Sequence, residues 1–419
     1  MLEEKFVFTA GAKKKITILA VVGVILAVLG FVMMNSGGHH DAAAHGAAAE
    51  GAHHGFSWTK RLFANLWINN VYFVGLSIIG VFFVALQYAS QAGWSAPIKR
   101  IPEAFGFWLP IGGALMIITF LIGNHDLFHW THEYLYDPKD PHYDTILVGK
   151  RAFLNTPFFL GRMVAYFVLW FGLFWQLRKI SLQEDEMGGD QHWFKMRKYS
   201  AIFLVIFAVT SSTSAWDWVM SIDPHWFSTL FGWYVFSSWW VSGLAAITLI
   251  VVFLKEAGYL KVVNENHLHD LGKFVFGFSV FWAYLWFSQF LLYYYANIPE
   301  EIIYYIDRFK NDHYSPYFFL NLFINFFFPF LVLMTRDSKR HFMTIKIACV
   351  AILIGHWLDF FLMITPGTLK ENGGIGFFEI GITLVYLSGF LFVVLTSLSK
   401  AGLIAKNHPM MKESLHHHI

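Results

Sequence analysis

The chain has 419 residues, of which 56% are hydrophobic, 19% aromatic and only 14% charged, with a formal net charge of +2. Soluble domains run near about a quarter charged, so this composition excludes an ordinary water-soluble globule, and no nucleic-acid partner is expected. The lone Cys349 excludes disulfides within the chain, iron–sulfur ligation and cysteine-based zinc sites.

A bilayer-spanning helix needs roughly 20 predominantly apolar residues. Ten such stretches are predicted, at 16–34, 66–90, 104–132, 152–177, 198–221, 231–254, 271–296, 316–334, 343–364 and 377–399. None alternates polar and apolar residues as barrel strands do. The first follows Lys13–Lys15, and its apolar run is longer than that of a secretory leader, so it reads as a retained helix. Residues 35–60 form a Gly/Ala/His-rich linker with His39, His40, His45, His53 and His54, where no carboxylate or spacing fixes a metal geometry.

Basic residues set the orientation. With the N-terminus in the cytoplasm, the cytoplasmic segments hold 21 of the 30 Lys and Arg, against eight in the opposite segments, with Arg162 inside a span. That asymmetry places both termini in the cytoplasm and the linker in the periplasm. Residues 178–198 read as the main cytoplasmic loop, and 133–151 and 297–315 as the main periplasmic ones.

Short connections favour antiparallel neighbours. The predicted fold is an all-α integral membrane protein with ten transmembrane helices: two four-helix bundles, of helices 2–5 and 6–9, flanked by helices 1 and 10. The corresponding units are 1–60 (first helix and linker), 61–230 (first bundle), 231–365 (second bundle) and 366–419 (last helix and tail).

Ionisable residues inside spans are costly and mark ion, proton or substrate sites. They are Asp126 and His129 in span three, Arg162 in four, Asp217 in five, His356 and Asp359 in nine, and Glu379 in ten, all toward the predicted periplasmic side. His125, His129 and His132 share one face of a continuous helix, and Asp126 is the first candidate partner for Arg162. Asp217 ends a stripe with Thr210 and Thr213, which reads either as helix packing or as a water-bearing path. His356 and Asp359, at i and i+3, share a face and make a pair able to relay protons near neutral pH. These groups predict a single hydrated cluster joining Asp217 to His356 and Asp359. The alternative is a set of structural ion pairs. A further alternative, a b-haem quinol oxidoreductase, needs facing histidines, for which His129 with His356 is the candidate pair. Gln289 and Tyr293–Tyr295 of span seven suit either packing or a quinone-ring wall.

Several stretches carry a family resemblance: Met220–Phe236 (MSIDPHWFSTLFGWYVF), Gln91–Ser95 (QAGWS), Phe281–Phe290 (FWAYLWFSQF) with Asn297–Glu301 (NIPEE), His356–Phe360 (HWLDF) and Pro366–Thr368 (PGT). Over about residues 61 to 412 the chain resembles the NrfD-like family of polysulfide-reductase and nitrite-reductase membrane subunits. The form is that found in alternative complex III, a bacterial quinol:cytochrome c oxidoreductase, and the likeness is greatest to the F subunit, the second of its two large membrane subunits. The resemblance implies a cofactor-free ten-helix subunit of the bacterial inner membrane that is not catalytic alone. Quinone or menaquinone is then the candidate redox lipid, with haem and iron–sulfur clusters on partner subunits. Those partners are a paralogous large membrane subunit, an iron–sulfur subunit, a multihaem cytochrome c subunit and a monohaem cytochrome c subunit, with lipids around them. In this family the F-like subunit supports the assembly and is a candidate proton conductor. Asp126, His129, Arg162, Asp217, His356, Asp359 and Glu379 are the expected residues for proton handling or quinol contact.

Overall fold

The computed structural model describes residues 4–37 and 57–417. Among them are ten helices long and apolar enough to cross a membrane: α1 (Ala10–Asn35), α2 (Trp58–Ala89), α3 (Ala96–Leu127), α4 (Thr156–Met187), α5 (Asp190–Ile222), α6 (Phe231–Glu256), α7 (Glu265–Ala296), α8 (Ser315–Val332), α9 (Phe342–Asn372) and α10 (Phe377–Ser399). The protein is therefore an all-α, multi-pass membrane protein. The extended pairing among the described residues is an isolated antiparallel bridge between Lys5 and Gly402. That bridge, with Leu403 N–H donating to Glu4 O at 2.7 Å, brings the two terminal segments to one pole of the helix assembly. We call this the terminal pole and the other end the distal pole. Most of the histidine-rich linker, including His39, His40, His45, His53 and His54, lies outside the described residues.

Helices apolar on every side have no single wet face, so neighbours are chosen by shape and by polar groups that need partners. α2 packs against α3, α5, α6, α9 and α10. It can do so because Gly75 offers no side chain where the Trp239 indole of α6 lies flat on the backbone. There the Trp239 N–H donates to Val71 O at 3.2 Å. Contacts also run between α3 and α4, α4 and α5, α6 and α7, α6 and α9, and α8 and α9, while α5 meets α6 and α1 lies along α10. α2, placed in the first predicted set, thus also packs against α6 and α9 of the second.

Three expectations about the segments are corrected. The loop at 178–198 is almost entirely helical: α4 runs to Met187 and α5 starts at Asp190. The turn is made by Gly188 (φ 65°) and Gly189 (φ 82°), conformations that only glycine adopts without strain. Span three stops as an α-helix at Leu127; Phe128 is extended and His129–Thr131 form a separate 3₁₀ turn. The 297–315 segment contains the amphipathic helix Pro299–Phe309, started by Pro299 at its first position.

Candidate functional site

Asp359 sits near the middle of α9 and is 1% exposed. Its Oδ1 accepts from Tyr234 OH of α6 and from Asn321 Nδ2 of α8 at 2.9 Å. Its Oδ2 accepts from Ser238 Oγ of α6 at 2.7 Å and from Trp282 Nε1 of α7 at 3.0 Å. Four helices therefore converge on one carboxylate, and every one of these donors is neutral. His356 lies one turn back on α9 and is fully buried. Its Nδ1 is 3.9 Å from Asp359 Oδ2 and 2.9 Å from Ser238 Oγ, and its ring meets Trp282 edge to face at 5.4 Å. His356 Nε2 is buried without a hydrogen-bond partner among the described residues, as is Asn325 Oδ1. Asn325 Nδ2 donates to Asn321 Oδ1 at 2.6 Å, and it lies in the π-helical turn Phe323–Phe327 of α8. Such turns are frequent at functional positions.

Asp217 has a different environment. Its carboxylate takes a two-pronged bond from Arg162 of α4, Nε and NH2 both at 2.8 Å, and a third bond from Tyr166 OH at 3.0 Å. The guanidinium is held from the other side by the Phe153 carbonyl at 3.0 Å and by the rings of Phe153 and Phe158 at 3.9 and 4.3 Å. Asp217, not Asp126, is thus the partner of Arg162. Among the described residues the Asp217 carboxylate shares no hydrogen-bond partner with Asp359. Trp218 lies beside Trp239 at 6.4 Å, and Trp239 stacks on Phe360 at 6.2 Å, so a run of rings links the residue after Asp217 to the residue after Asp359. Thr210 and Thr213 donate to carbonyls of their own helix, Ile206 O at 2.8 Å and Val209 O at 3.1 Å. Thr210 also accepts from Trp170 Nε1 of α4 at 2.8 Å, so this hydroxyl ties α5 to α4.

Glu379 is also ion-paired: Arg61 Nε lies at 2.7 Å and Asn65 Nδ2 at 3.1 Å, and Glu379 Oε2 accepts from its own helix start, Gly376 N, at 2.8 Å. It is 1% exposed, so its position one turn into α10 does not give it to solvent. Asp126 is half-buried and His129 exposed. Because the helix breaks at Phe128, the His125 and His132 rings stack at 5.2 Å while His129 meets His132 edge-on at 5.9 Å. His129 belongs to this distal-pole group, while His356 lies in the interior, bonded to Ser238. No grouping of three metal-competent side chains exists among the described residues.

A second charged centre, at the terminal pole, was not anticipated. Lys99 Nζ is 2.5 Å from Glu184 Oε2 and 2.6 Å from Tyr88 OH. Beside it, Arg100 bonds Glu103 at 2.8 Å, Asp185, and Ser181 Oγ at 3.0 Å, and Arg178 pairs with Glu103. Lys99, Arg100, Glu103, Arg178 and Glu184 are all buried. Lys99, Arg100 and Arg178 had counted only as loop charges. The sequence signal was the local pattern Lys99-Arg100-x-x-Glu103, whose i, i+3 charges face together, but its partners lie about 80 positions away. A small pocket lined by Gln87, Tyr88, Ser95, Lys99, Trp193 and His408 adjoins this centre. The Asn residues 65, 69 and 70 of α2 and Asn321 and Asn325 of α8 were likewise legible only as amides inside apolar spans.

Fold and site together define a polytopic helical membrane protein with a neutral-donor carboxylate site in its interior and ion-paired charges nearer both poles. Comparison with protein-family models finds no match, and comparison with curated proteins finds none either.

Proposed function

We propose that the chain is a cofactor-free membrane subunit of a respiratory quinol:cytochrome c oxidoreductase of the alternative complex III kind, and that its Asp359 site handles protons for quinol oxidation. In this reading it lies in a bacterial inner membrane with both termini cytoplasmic. It contributes no catalysis alone and works beside a paralogous membrane subunit and the haem- and iron–sulfur-bearing subunits. Quinone or menaquinone is the redox lipid of the assembly.

The observation that supports the reading most is where the resembling stretches meet. Tyr234 from Met220–Phe236, Trp282 from Phe281–Phe290, and His356 and Asp359 from His356–Phe360 are mutual neighbours around one carboxylate. A carboxylate satisfied by neutral donors can change charge without stranding a fixed cation, and an imidazole lies one turn away on the same helix. Asp217 and Glu379 favour the structural alternative instead, because each has an arginine in direct contact. Protonating either one would strand a partly buried guanidinium.

The test is purification from native membranes followed by substitution. The chain should co-purify with haem- and iron–sulfur-bearing subunits. Asp359→Asn should leave assembly intact and lower quinol-dependent turnover by about tenfold or more, a typical contribution of a proton-transferring group. Asp217→Asn should lower assembly yield while the surviving complex keeps normal specific activity. An active solitary chain, or Asp359→Asn with unchanged turnover and proton stoichiometry, refutes the reading.

A further inference from the structure

His356 and Asp359 are too far apart, at 3.9 Å, to share a hydrogen bond directly. Ser238 closes the gap, with Oγ 2.9 Å from His356 Nδ1 and 2.7 Å from Asp359 Oδ2. A hydroxyl has one proton and can also accept. If its proton is on the Asp359 side, it accepts from His356 Nδ1–H, and the neutral imidazole carries its lone pair on Nε2. That nitrogen is the buried, unpartnered atom of the site. Ser238 itself is fixed in α6, where its carbonyl accepts from Ser242 Oγ at 2.6 Å.

We propose that Ser238 is the proton-passing residue of this site, joining His356 and Asp359 into one store that takes up a single proton through His356 Nε2. The proposal rests on the reading of Asp359 as a proton-handling group. Hydronium supplies the proton and leaves a neutral water. An N–H bond forms at Nε2 and the Nδ1–H bond breaks. The released proton forms a new O–H bond on Ser238, whose former proton moves to Asp359 Oδ2. The balance is one proton gained: the carboxylate becomes a neutral carboxyl, the serine hydroxyl is restored, and the imidazole ends neutral in its other tautomer. Unloading reverses these steps.

The groups around the store leave it this freedom. Tyr234 of α6 donates to Asp359 Oδ1. Tyr304 and Tyr305, on the Pro299–Phe309 helix, are phenols whose burial raises them further, so they stay neutral at physiological pH. Tyr72 of α2 is engaged with Leu353 O at 2.9 Å. Trp282 of α7 and Asn321 and Asn325 of α8 do not titrate. Arg308 is committed to Asp223 at 3.1 Å and to the Leu362 carbonyl at 2.8 Å.

The experiment is a pH-jump infrared measurement on the purified full chain in lipid nanodiscs. The protonated-carboxyl band of Asp359 is identified by its loss in Asp359→Asn. Ser238→Ala should slow the rise of that band by about tenfold or more, while Ser238→Thr, which keeps a hydroxyl, should stay within about threefold of the parent. Should Ser238→Ala fail to fold, Ser238→Cys, with its weaker S–H donor, should show the same slowing. An unchanged rate without the hydroxyl overturns the proposal, as does absence of an Asp359 carboxyl band throughout the pH range the protein tolerates. The two readings fail separately. An intact pH-jump signal with turnover insensitive to Asp359→Asn refutes the proposed function and leaves the relay standing.

Discussion

Arg308 Nε donates at 2.8 Å to the carbonyl of Leu362, the carbonyl that Pro366 leaves without its helical donor. The same guanidinium reaches Met363 O and Asp223 Oδ2, both at 3.1 Å. Gly367 completes the arrangement: a side chain there would meet Asp223 Oδ1 at 2.6 Å. The Pro366-Gly367 break in α9 is thus bridged by an arginine from a surface helix, one to two turns from Asp359.

Removing this arginine strands a carboxylate and two buried carbonyls. Arg308→Ala should cost about 3 kcal/mol or more, read as thermal unfolding in detergent. In a Pro366→Ala background Leu362 O regains a backbone donor, so the same substitution should cost less, by about 1 kcal/mol. Additive effects in this double-mutant cycle would show that Arg308 does not serve the proline break.

The Lys99–Glu184 pair behaves in the same way at the other pole. Both side chains are at most 5% exposed. Lys99→Met leaves Glu184 buried and short of its cation, at a cost of about 3–5 kcal/mol. The double variant Lys99→Met/Glu184→Gln should recover most of that loss. Thermal unfolding of the three variants decides it, and a double variant no better than the single one contradicts the pairing.

The association of α1 with the rest of the chain depends on small residues. Gly381 of α10 lies against the Ala27 backbone, and a side chain at Gly23 would meet Gly381 O at 2.9 Å. Close backbone approach is the main source of helix association in lipid. Gly381→Val should cost about 1–3 kcal/mol and raise hydrogen exchange in α1 relative to α2. Equal protection of α1 before and after the substitution would contradict this contact.

His408, in the segment after α10, gives a pH dependence. Burial, with Lys99 nearby, holds its imidazole down at about 3. Its Nδ1 accepts from Met410 N at 3.2 Å, consistent with a neutral ring. A histidine lowered on folding stabilises the docked state fully above its unpaired value of 6.5, and that contribution is lost as pH falls from there toward 3. Docking of residues 400–417 should therefore weaken by up to about tenfold per pH unit within this window. Limited proteolysis of that segment should accelerate on acidification, and His408→Gln should flatten the profile.

The ten spans, and the presence of Asp217, Asp359 and Glu379 inside them, followed from sequence alone, because an apolar run long enough to cross a bilayer and a charge within it are both local properties. The i, i+3 pairing of His356 with Asp359 was legible for the same reason, as helix geometry fixes it. What each charge meets was not legible. Arg162 chose Asp217 on α5 over Asp126 on α3, and Asp217 and Asp359 were given separate sets of hydrogen-bond partners. Lys99, Arg100 and Arg178 passed for exposed loop charges until α3 and α4 came together and buried them with Glu103 and Glu184. Ser238, an unremarked hydroxyl in an apolar helix, became a bridge only when α6 packed on α9. Periodicity tells a residue which face of its own helix it occupies. The partner across the gap is set by how whole helices pack, and at these sites it decides whether a buried charge is fixed by an arginine or left among neutral donors.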